Sequence, residues 1–290
     1  MKSIYGKLGI ILVASLAITG CASHGKVGTG ASFKGPIGLQ LYSLRGEFNK
    51  GNIDGTLAKV HSWGIKYVEL AGTYNQTPEK FTQLLTQNQL VAVSGHFPFD
   101  RYRNEPEKVA LEAKALGLKY AGCAWIPHQG DFTEKDTRDA AAVFNHAGEV
   151  LAKHGIKFFY HTHGYEFQPF AGGTLFDLLM AETKPELVRY QMDVFWIVHP
   201  GQDPAKLLDR YGKRFELLHL KDMRPGTEHN LTGKSNVNND VALGTGIMDW
   251  PAILSAAQRA GAKWYFIEDE SDDSAMHIPQ SLKFLEQVKF

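Results

Sequence analysis

The stretch Gly155-Ile156-Lys157-Phe158-Phe159-Tyr160-His161 contains the features that decide the fold. Its glycine follows an amphipathic segment, and glycine ends helices because it adopts the left-handed conformation without a steric penalty. A short apolar run follows, as in the buried strands of parallel sheets. The run ends on an imidazole. The stretch therefore predicts a helix-to-strand junction that places a chemically capable side chain at the carboxyl end of the strand.

Similar junctions recur along the chain. They read Gly64-Ile65-Lys66-Tyr67, Gly117-Leu118-Lys119-Tyr120 and Gly261-Ala262-Lys263-Trp264. Candidate strands start near Ile37, Tyr67, Val91, Tyr120, Lys157, Arg189, Glu216 and Trp264. Helical or sufficiently long segments separate nearly all of them, as in successive βα units. We therefore predict an α/β protein, a closed (β/α)8 TIM barrel in a single domain over residues 36–290. A dinucleotide-binding sheet has no support, because no Gly-x-Gly-x-x-Gly motif follows the first strand.

The N-terminus has the pattern of a secretory signal, predicted over residues 1–20. Lys2 and Lys7 precede an apolar run from Leu8 to Ile18. The alternative is a transmembrane anchor, but the run is shorter than the roughly 20 apolar residues that a spanning helix needs.

The segment Ile18-Thr19-Gly20-Cys21 resembles the lipobox of bacterial lipoproteins. The resemblance implies cleavage before Cys21 and attachment of lipid to that residue. Ala22 stands where an inner-membrane retention signal usually carries Asp, which implies an exported protein anchored in the outer membrane and facing the periplasm. Residues 21–35 are small, polar and glycine-rich, and are predicted to form a flexible tether.

The net charge of the chain bears on whether it binds nucleic acid or an anionic membrane. Lys plus Arg and Asp plus Glu number 31 each, so no global field favours nucleic acid or an anionic membrane. Membrane attachment is therefore expected through Cys21 only.

Cys123 is the single cysteine of the mature domain, which excludes an intramolecular disulfide there. It lies in an apolar run, and we expect a core residue rather than a nucleophile.

Several predicted strands end on polar side chains. The fifth to eighth strands end on His161, Asp193, His219 and Glu268, and the second and third on Glu69 and His96. Any one of them alone could be a structural core residue. Parallel barrels, however, carry their chemistry at the carboxyl ends of the strands, and a mixed nitrogen and oxygen set suits a divalent cation. Their joint placement predicts an active site.

The residues next to these strand ends extend the prediction. Asp193 could cap the following helix, but Asp203-Pro204 supplies a cap and a first-turn proline further on, so we expect Asp193 to bind a cation. Asp222 is expected to orient His219 from behind. The long irregular stretch from Asp222 to Asp249 is expected to shape the site.

From about Ile37 to Val288 the chain resembles the sugar isomerase/epimerase superfamily with a xylose-isomerase-like barrel, which also contains endonuclease-IV-type repair enzymes. The motifs that carry the resemblance are Leu39-Gln40-Leu41-Tyr42-Ser43, His161-Thr162-His163 with Glu166-Phe167, Asp193-Val194-Phe195-Trp196, His219-Leu220-Lys221-Asp222, Gly244-Thr245-Gly246 with Asp249-Trp250, and Glu268.

The resemblance implies a divalent metal held by Glu, Asp, His and Glu from strands five to eight. Manganese comes first, with cobalt, zinc and magnesium as alternatives. Asp193, His219 and Glu268 match this set, whereas His161 replaces the fifth-strand glutamate and Glu166 lies nearby as a substitute. Glu268 is the expected base, and its partner acid is one of His161, Glu166, Lys221 and His96. Substrate contacts are expected from His163, Trp196, His199, Glu69 and Trp125.

The implied chemistry is removal of a proton next to a carbonyl through an enediolate. The leading hypothesis is a sugar isomerase or epimerase. Its substrate is expected to be an unphosphorylated carbohydrate, since the protein is predicted to act outside the cytoplasm. A keto-glycoside lyase or hydrolase, an inosose-dehydratase-like lyase and a non-catalytic sugar-binding lipoprotein are the alternatives. Endonuclease activity is disfavoured because Trp196 stands where those enzymes place a metal-binding histidine. The particular sugar, the metal and the oligomeric state stay open.

Overall fold

The computed structural model describes residues 27–290 and contains a closed barrel of eight parallel strands. The strands are β1 (Ile37–Gln40), β2 (Tyr67–Leu70), β3 (Val91–His96), β4 (Tyr120–Cys123), β5 (Lys157–His161), β6 (Val188–Asp193), β7 (Phe215–Leu220) and β8 (Trp264–Ile267). Each strand pairs with its neighbours in chain order, and β8 closes the barrel by pairing with β1. The predicted (β/α)8 barrel is confirmed.

One outer helix follows each strand. These helices are α1 (Ile53–Ser62), α2 (Pro78–Gln87), α3 (Pro106–Ala115), α4 (Glu134–Lys153), α5 (Leu175–Glu182), α6 (Pro204–Tyr211), α7 (Trp250–Ala260) and α8 (Ser274–Gln287). Shorter helices at Arg45–Asn49, Phe99–Asn104 and Val194–Val198 lie in the loops after β1, β3 and β6. Two-residue strands form small hairpins, Pro169–Phe170 with Gly173–Thr174 and Asp222–Met223 with Asp240–Val241. Single 3-10 turns occupy Leu41–Leu44, Tyr165–Phe167, Gly212–Arg214 and Val237–Asn239.

Local sequence signals set the helix ends. Gly261 follows α7 with a φ of +81°, and its N–H donates to the carbonyls of Ala257 and Gln258. Asp203 caps α6 through the Lys206 N–H, and Pro204 occupies the first turn, as predicted. These signals fix where each chain segment leaves the outer layer and enters the barrel.

Side chains fill the lower interior of the barrel. Val93, Tyr120, Phe159, Leu217 and Phe266 form a buried cluster there. Glycines make room for the rings: a Cβ on Gly122 would lie 2.3 Å from Phe159, and one on Gly38 would lie 2.6 Å from Phe266. The lower interior is therefore packed, and the cavity next to the predicted site residues lies at the carboxyl ends of the strands.

The segment before β1 packs against the opposite end of the barrel. Phe33 is 2% exposed, and its ring meets Tyr265 edge-on at a centroid distance of 5.0 Å. The Gly30 N–H donates to the Phe33 carbonyl at 2.8 Å. The expectation of a flexible tether over residues 21–35 therefore does not hold for its described part, because burial of Phe33 anchors it. The folded region extends at least to Val27.

The predicted signal segment and Cys21 lie outside the described residues. Within residues 27–290, none of the helices combines the length and apolarity needed to cross a bilayer.

Candidate active site

The ends of β5 to β8 bring four predicted side chains together. His219 Nδ1 lies 3.0 Å from Glu268 Oε2 and 3.8 Å from Asp193 Oδ2. His161 Nε2 lies 3.8 Å from the same Asp193 oxygen. Asp193, His219 and Glu268 each offer one ligand atom, and these atoms all lie within 4.8 Å of one another. A carboxylate–imidazole–carboxylate group of this size fits a divalent cation.

The two carboxylate oxygens of Asp193 have different surroundings. Oδ1 accepts a hydrogen bond from the Trp196 N–H at 3.2 Å and so caps the short helix Val194–Val198. The expectation that Asp193 caps no helix is therefore wrong, because a five-residue helix begins well before α6. Oδ2 is buried and has no hydrogen-bond partner within residues 27–290. A buried carboxylate oxygen without a partner is costly, and a cation would satisfy it.

Glu69 holds His219 from below. It is fully buried, and its Oε1 lies 2.5 Å from His219 Nε2. Gln40, Ser94 and Gln191 also donate to its two oxygens, at 2.7, 2.5 and 2.9 Å. Burial alone would raise the pKa of Glu69, but His96, His219 and the hydrogen bonds outweigh it and lower the pKa to about 2. Glu69 is therefore a carboxylate that orients His219, and the structure places it beneath the cavity rather than in contact with a substrate.

The Gln191 side chain determines which ring nitrogen of His161 and of His96 carries a proton. Its amide nitrogen must face Glu69, since a carboxylate only accepts. Its Oε1 then accepts from His161 Nδ1 at 2.9 Å and from His96 Nε2 at 3.1 Å. Nε2 of His161 is left with its lone pair directed toward Asp193. Burial lowers the pKa of His161 well below its ordinary value, so the ring stays neutral and is a suitable ligand.

The negative charge of Glu268 and the positive charge of Lys221 lie close together at the centre of the site. Burial would raise the pKa of Glu268, but Lys221 and His219 outweigh it and hold that pKa well below its ordinary range. Lys221 is 1% exposed, with Nζ 3.4 Å from Asp240 and 3.6 Å from Glu268, and it also pairs with Glu270. Burial opposes its charge, yet these carboxylates raise the Lys221 pKa well above its ordinary value. Glu268 is thus anionic and Lys221 cationic at neutral pH.

A cavity of about 770 Å³ opens above these groups. His96, His161 and Glu268 line it, so three of the predicted catalytic side chains face the same space. One side of the cavity is an aromatic wall formed by His163, Trp196 and Trp125. The His163 ring stacks on Trp196 at a centroid distance of 4.6 Å and meets Trp125 edge-on at 5.0 Å. Burial lowers the pKa of His163 to about 3, which keeps this ring neutral. An aromatic wall next to polar groups is suited to a sugar.

Six predicted site residues do not line this cavity. Asp193, His219, Lys221 and Glu69 are buried against side chains that do, whereas Glu166 and His199 have other surroundings. Glu166 is fully buried and accepts from the His163 N–H at 2.9 Å; it is absent from the cavity lining. Burial raises its pKa to about 7. His161 lines the cavity and its Nε2 lies 3.8 Å from Asp193 Oδ2, so His161 rather than Glu166 is the candidate fifth-strand ligand. His199 lines a separate cavity of about 380 Å³, behind the loop after β7.

Asp222 supports that loop rather than His219. Its carboxylate accepts from the N–H groups of Gly244, Gly246 and Met248 and from Trp250 Nε1, at 2.8 to 3.2 Å. A Cβ on Gly246 would lie 2.2 Å from Asp222 Oδ1. The prediction that Asp222 orients His219 is therefore wrong, because Glu69 fills that position from the other side of the barrel.

The loop does reach the site, as expected from its length. Gly233, Lys234 and Ser235 line the cavity. Sequence reasoning missed Gln40 and Gln191, which lie one layer below the ligand atoms. A signal for Gln191 was present, since it shares a strand face with Asp193 by the two-residue alternation.

The chain belongs to the xylose isomerase-like TIM barrel family, whose model matches residues 57–288. Among curated proteins it is 29% identical, over 181 residues, to the inosose dehydratase of Lacticaseibacillus casei. That match covers 53% of this chain and 59% of the relative, so the chain spans little more than half of that protein.

Solved structures show the same fold. A sugar phosphate isomerase/epimerase from Parabacteroides distasonis ATCC 8503 superposes with a TM-score of 0.73 at 23% identity, covering 89% of this chain and 96% of that one. The IOLI protein with a bound zinc atom superposes with a TM-score of 0.61 at 15% identity, covering 86% of this chain and 95% of that one. At these identities the likeness establishes the fold.

Proposed function

We propose that the protein is a divalent-metal-dependent enzyme that removes a proton next to a carbonyl of a carbohydrate and so acts as an isomerase or epimerase. The observation that carries the proposal is the group of Asp193, His219 and Glu268, whose ligand atoms lie within 4.8 Å of one another. Glu268 lines the cavity, and the other two are buried next to it. His161, whose Nε2 lies 3.8 Å from Asp193 Oδ2, is the fourth ligand that we propose. Manganese is the metal we expect first, with cobalt, zinc and magnesium as alternatives.

A bound divalent cation would act as a Lewis acid that stabilises the enediolate oxygens. The protein's own residues perform the remaining steps. Glu268 is an anion that lines the cavity and accepts the proton from carbon. Lys221, 3.6 Å from Glu268, balances its charge, and the neutral His96 and His161 border the same space. The aromatic wall of His163, Trp196 and Trp125 positions the sugar ring.

Metal content tests the first half of the proposal. The purified protein is expected to hold about one divalent ion, measured by mass spectrometry of the released metal. Asp193→Ala and His219→Ala should each lose it. Glu286→Gln, an exposed carboxylate on α8, is the matched control and should keep it. Full occupancy in the double variant Asp193→Ala/His219→Ala would exclude this site.

A lyase is the second candidate, because the fifth strand presents the neutral imidazole of His161 where the epimerases carry a second carboxylate. In an elimination Glu268 takes the proton from carbon, a C=C bond forms, and the β-hydroxyl or glycosidic oxygen leaves as water or an alcohol after receiving that proton from Glu268. The similarity to an inosose dehydratase agrees with this route.

Mass spectrometry in deuterated water separates these outcomes. Free ketoses and 3-keto-glycosides are incubated with the manganese-loaded protein. An epimerase returns solvent deuterium to the sugar, whereas a lyase releases water or an aglycone. Glu268→Gln should abolish either product. Sugar binding without exchange or elimination would instead support the non-catalytic sugar-binding alternative.

We also propose that the protein is exported and anchored in the outer membrane, facing the periplasm, by lipid on Cys21. The lipobox-like segment before that residue supports the proposal. Cys21→Ala should move the protein from the membrane fraction to the soluble periplasmic fraction and abolish labelling by radioactive palmitate. Cys123→Ala is the matched control, since Cys123 is fully buried in the core, and it should leave both readouts unchanged.

A further inference from the structure

A second cavity of about 560 Å³ adjoins the candidate active site. The two cavities share the wall formed by Tyr42, Ala71, Gly72, His96, Phe97 and Pro98. His96 therefore faces the reacting centre on one side and the second cavity on the other. The volume of the second cavity falls in the range of about 300 to 1,000 Å³ that is typical of small-molecule sites. A ligand that fills both spaces is larger than a single sugar ring.

Amide and guanidinium groups line the second cavity. Asn49 and Asn75 are exposed there, and their side chains have no hydrogen-bond partner within residues 27–290. Arg45 donates to the carbonyls of Tyr42 and Glu270 at 3.2 and 2.8 Å. Arg101 is paired with two carboxylates and is thereby neutralised. Free amides beside a cation suit the hydroxyl groups of an uncharged polyol.

Tyr42 stands at the junction of the two cavities. It is 42% exposed, which is unusual for a large aromatic side chain, and it lines both spaces. The Arg45 guanidinium stacks on its ring, with Cζ 4.5 Å from the centroid, and holds the ring in place. A fixed and exposed aromatic ring provides a surface on which the apolar face of a sugar can pack.

The backbone beside the second cavity is strained. Tyr74 and Asn75 both adopt left-handed conformations, with φ of 50° and 64°. The Tyr74 ring is fixed by stacking on Phe48 at a centroid distance of 4.2 Å. Successive non-glycine residues in this region are costly, and such strain concentrates at ligand sites. Both residues line the cavity, so the strained turn forms part of its wall.

We propose that the second cavity is a subsite for the second ring of a disaccharide or related glycoside, whose first ring occupies the main cavity. Tyr42 forms the platform between the rings, and Asn49 and Asn75 bind the hydroxyl groups of the second ring. The assignment rests on the proposed function only in taking the main cavity as the place where the first ring reacts.

Calorimetric titration with unoxidised sugars tests the subsite without any turnover. Cellobiose and maltose are compared with methyl β-glucopyranoside, using protein whose metal content has been measured. We expect at least one disaccharide to bind about tenfold more tightly than the methyl glycoside. Asn75→Gly removes the amide while keeping a positive φ accessible, and Asn49→Ala removes the second amide. Each should weaken disaccharide binding about fivefold and change methyl glycoside binding less than twofold.

Gln89→Gly is the matched control. Gln89 is another exposed amide with a positive φ, 56°, but it lies just before β3 at the opposite end of the barrel. This variant should bind both sugars like the wild type. Equal affinity for the disaccharides and the methyl glycoside would overturn the subsite, as would the absence of binding by any of them. Tighter binding of glucose 6-phosphate than of either disaccharide would also overturn it, because Arg45 would then serve an anion. Loss of metal or of exchange, by contrast, counts against the proposed reaction alone.

Discussion

Glu69 Oε1 lies 2.5 Å from His219 Nε2, at a point where neither side chain is exposed. The pair connects β2 to β7 across the interior of the barrel. With Nε2 committed to Glu69, the other ring nitrogen of His219 faces Asp193 and Glu268. A carboxylate behind a ligand histidine fixes the ring orientation and increases its basicity. The candidate metal centre therefore depends on a residue that touches neither the cavity nor the cation.

Replacement of that carboxylate is expected to weaken metal binding. Glu69→Gln removes the negative charge and presents an amide N–H₂ to neighbours that already donate. The affinity for manganese should fall about 10- to 100-fold, measured by competition with a fluorescent chelator. Ser94→Ala is the graded control, since it removes one of the hydrogen bonds to Glu69 and leaves the charge. It should reduce the affinity less than Glu69→Gln does. An unchanged affinity in Glu69→Gln would show that His219 needs no support.

The fifth-strand ligand can be identified by a pair of variants. His161→Ala should lower the metal affinity, because Nε2 faces Asp193 Oδ2 at 3.8 Å. Glu166→Gln should leave it unchanged, because the Glu166 carboxylate accepts from the His163 N–H and is not among the groups whose ligand atoms cluster. His161→Glu should retain the ion and favour manganese over zinc relative to the wild type, since carboxylate oxygen is the harder ligand. Metal loss in Glu166→Gln but not in His161→Ala would reverse the assignment.

The fold could be predicted because its signals are local. Each strand begins within one residue of the predicted start, and Arg189 and Glu216 differ from the observed first residues, Val188 and Phe215, by one position each. Glycine at a helix end and a short apolar run are properties of neighbouring residues. The closure of β8 on β1 then follows from the number of units.

The site could be predicted only in part, because its supporting contacts join distant strands. Asp193, His219 and Glu268 lie within one residue of the ends of their strands, so the apolar runs before them indicate all three as candidates. The partner of His219 is not indicated in this way, since Glu69 precedes it by 150 positions in the chain. Nearness in sequence predicts Asp222 as the partner of His219, whereas the Asp222 carboxylate accepts hydrogen bonds from loop N–H groups. Gln191 shares a strand face with Asp193, but an uncharged amide does not stand out as a ligand or a base, so this signal alone does not assign it a role.

A charged cluster at the opposite end of the barrel predicts acid sensitivity. Glu216 pairs with Lys157, Arg189 and Lys263 at 2.8 to 3.0 Å. Burial would raise its pKa, but hydrogen bonds, from Lys157 first, lower it from 4.5 to about 2. A lowered carboxyl pKa adds stability that is present above pH 4.5 and lost as the pH falls toward 2.

Glu216→Gln should therefore lower the free energy of unfolding by about 2 kcal/mol at pH 7. The difference from wild type should shrink as the pH falls from 4.5 to 2. Urea unfolding at pH 7 and at pH 3 measures both values. Glu286→Gln is the control, since Glu286 is exposed, and it should follow the wild type throughout. A difference that stays constant with pH would assign the effect to packing and not to charge.

The loop after β7 touches the aromatic wall at one glycine. Gly233 has a φ of +67°, and a Cβ there would lie 2.6 Å from Tyr165 Cδ1 and 3.0 Å from the His163 carbonyl oxygen. Gly233→Ala should therefore lift Lys234 and Ser235 away from the cavity and weaken sugar binding about tenfold. Gly226→Ala separates the clash from the backbone strain, because Gly226 has a φ of +81° in the same loop and nothing lies within 4 Å of its added Cβ. Both variants bear a similar conformational penalty, so only Gly233→Ala should bind sugar more weakly in calorimetry. Equal affinities in the two variants would mean that the loop does not define the cavity, and that Trp196 and Trp125 position the sugar without it.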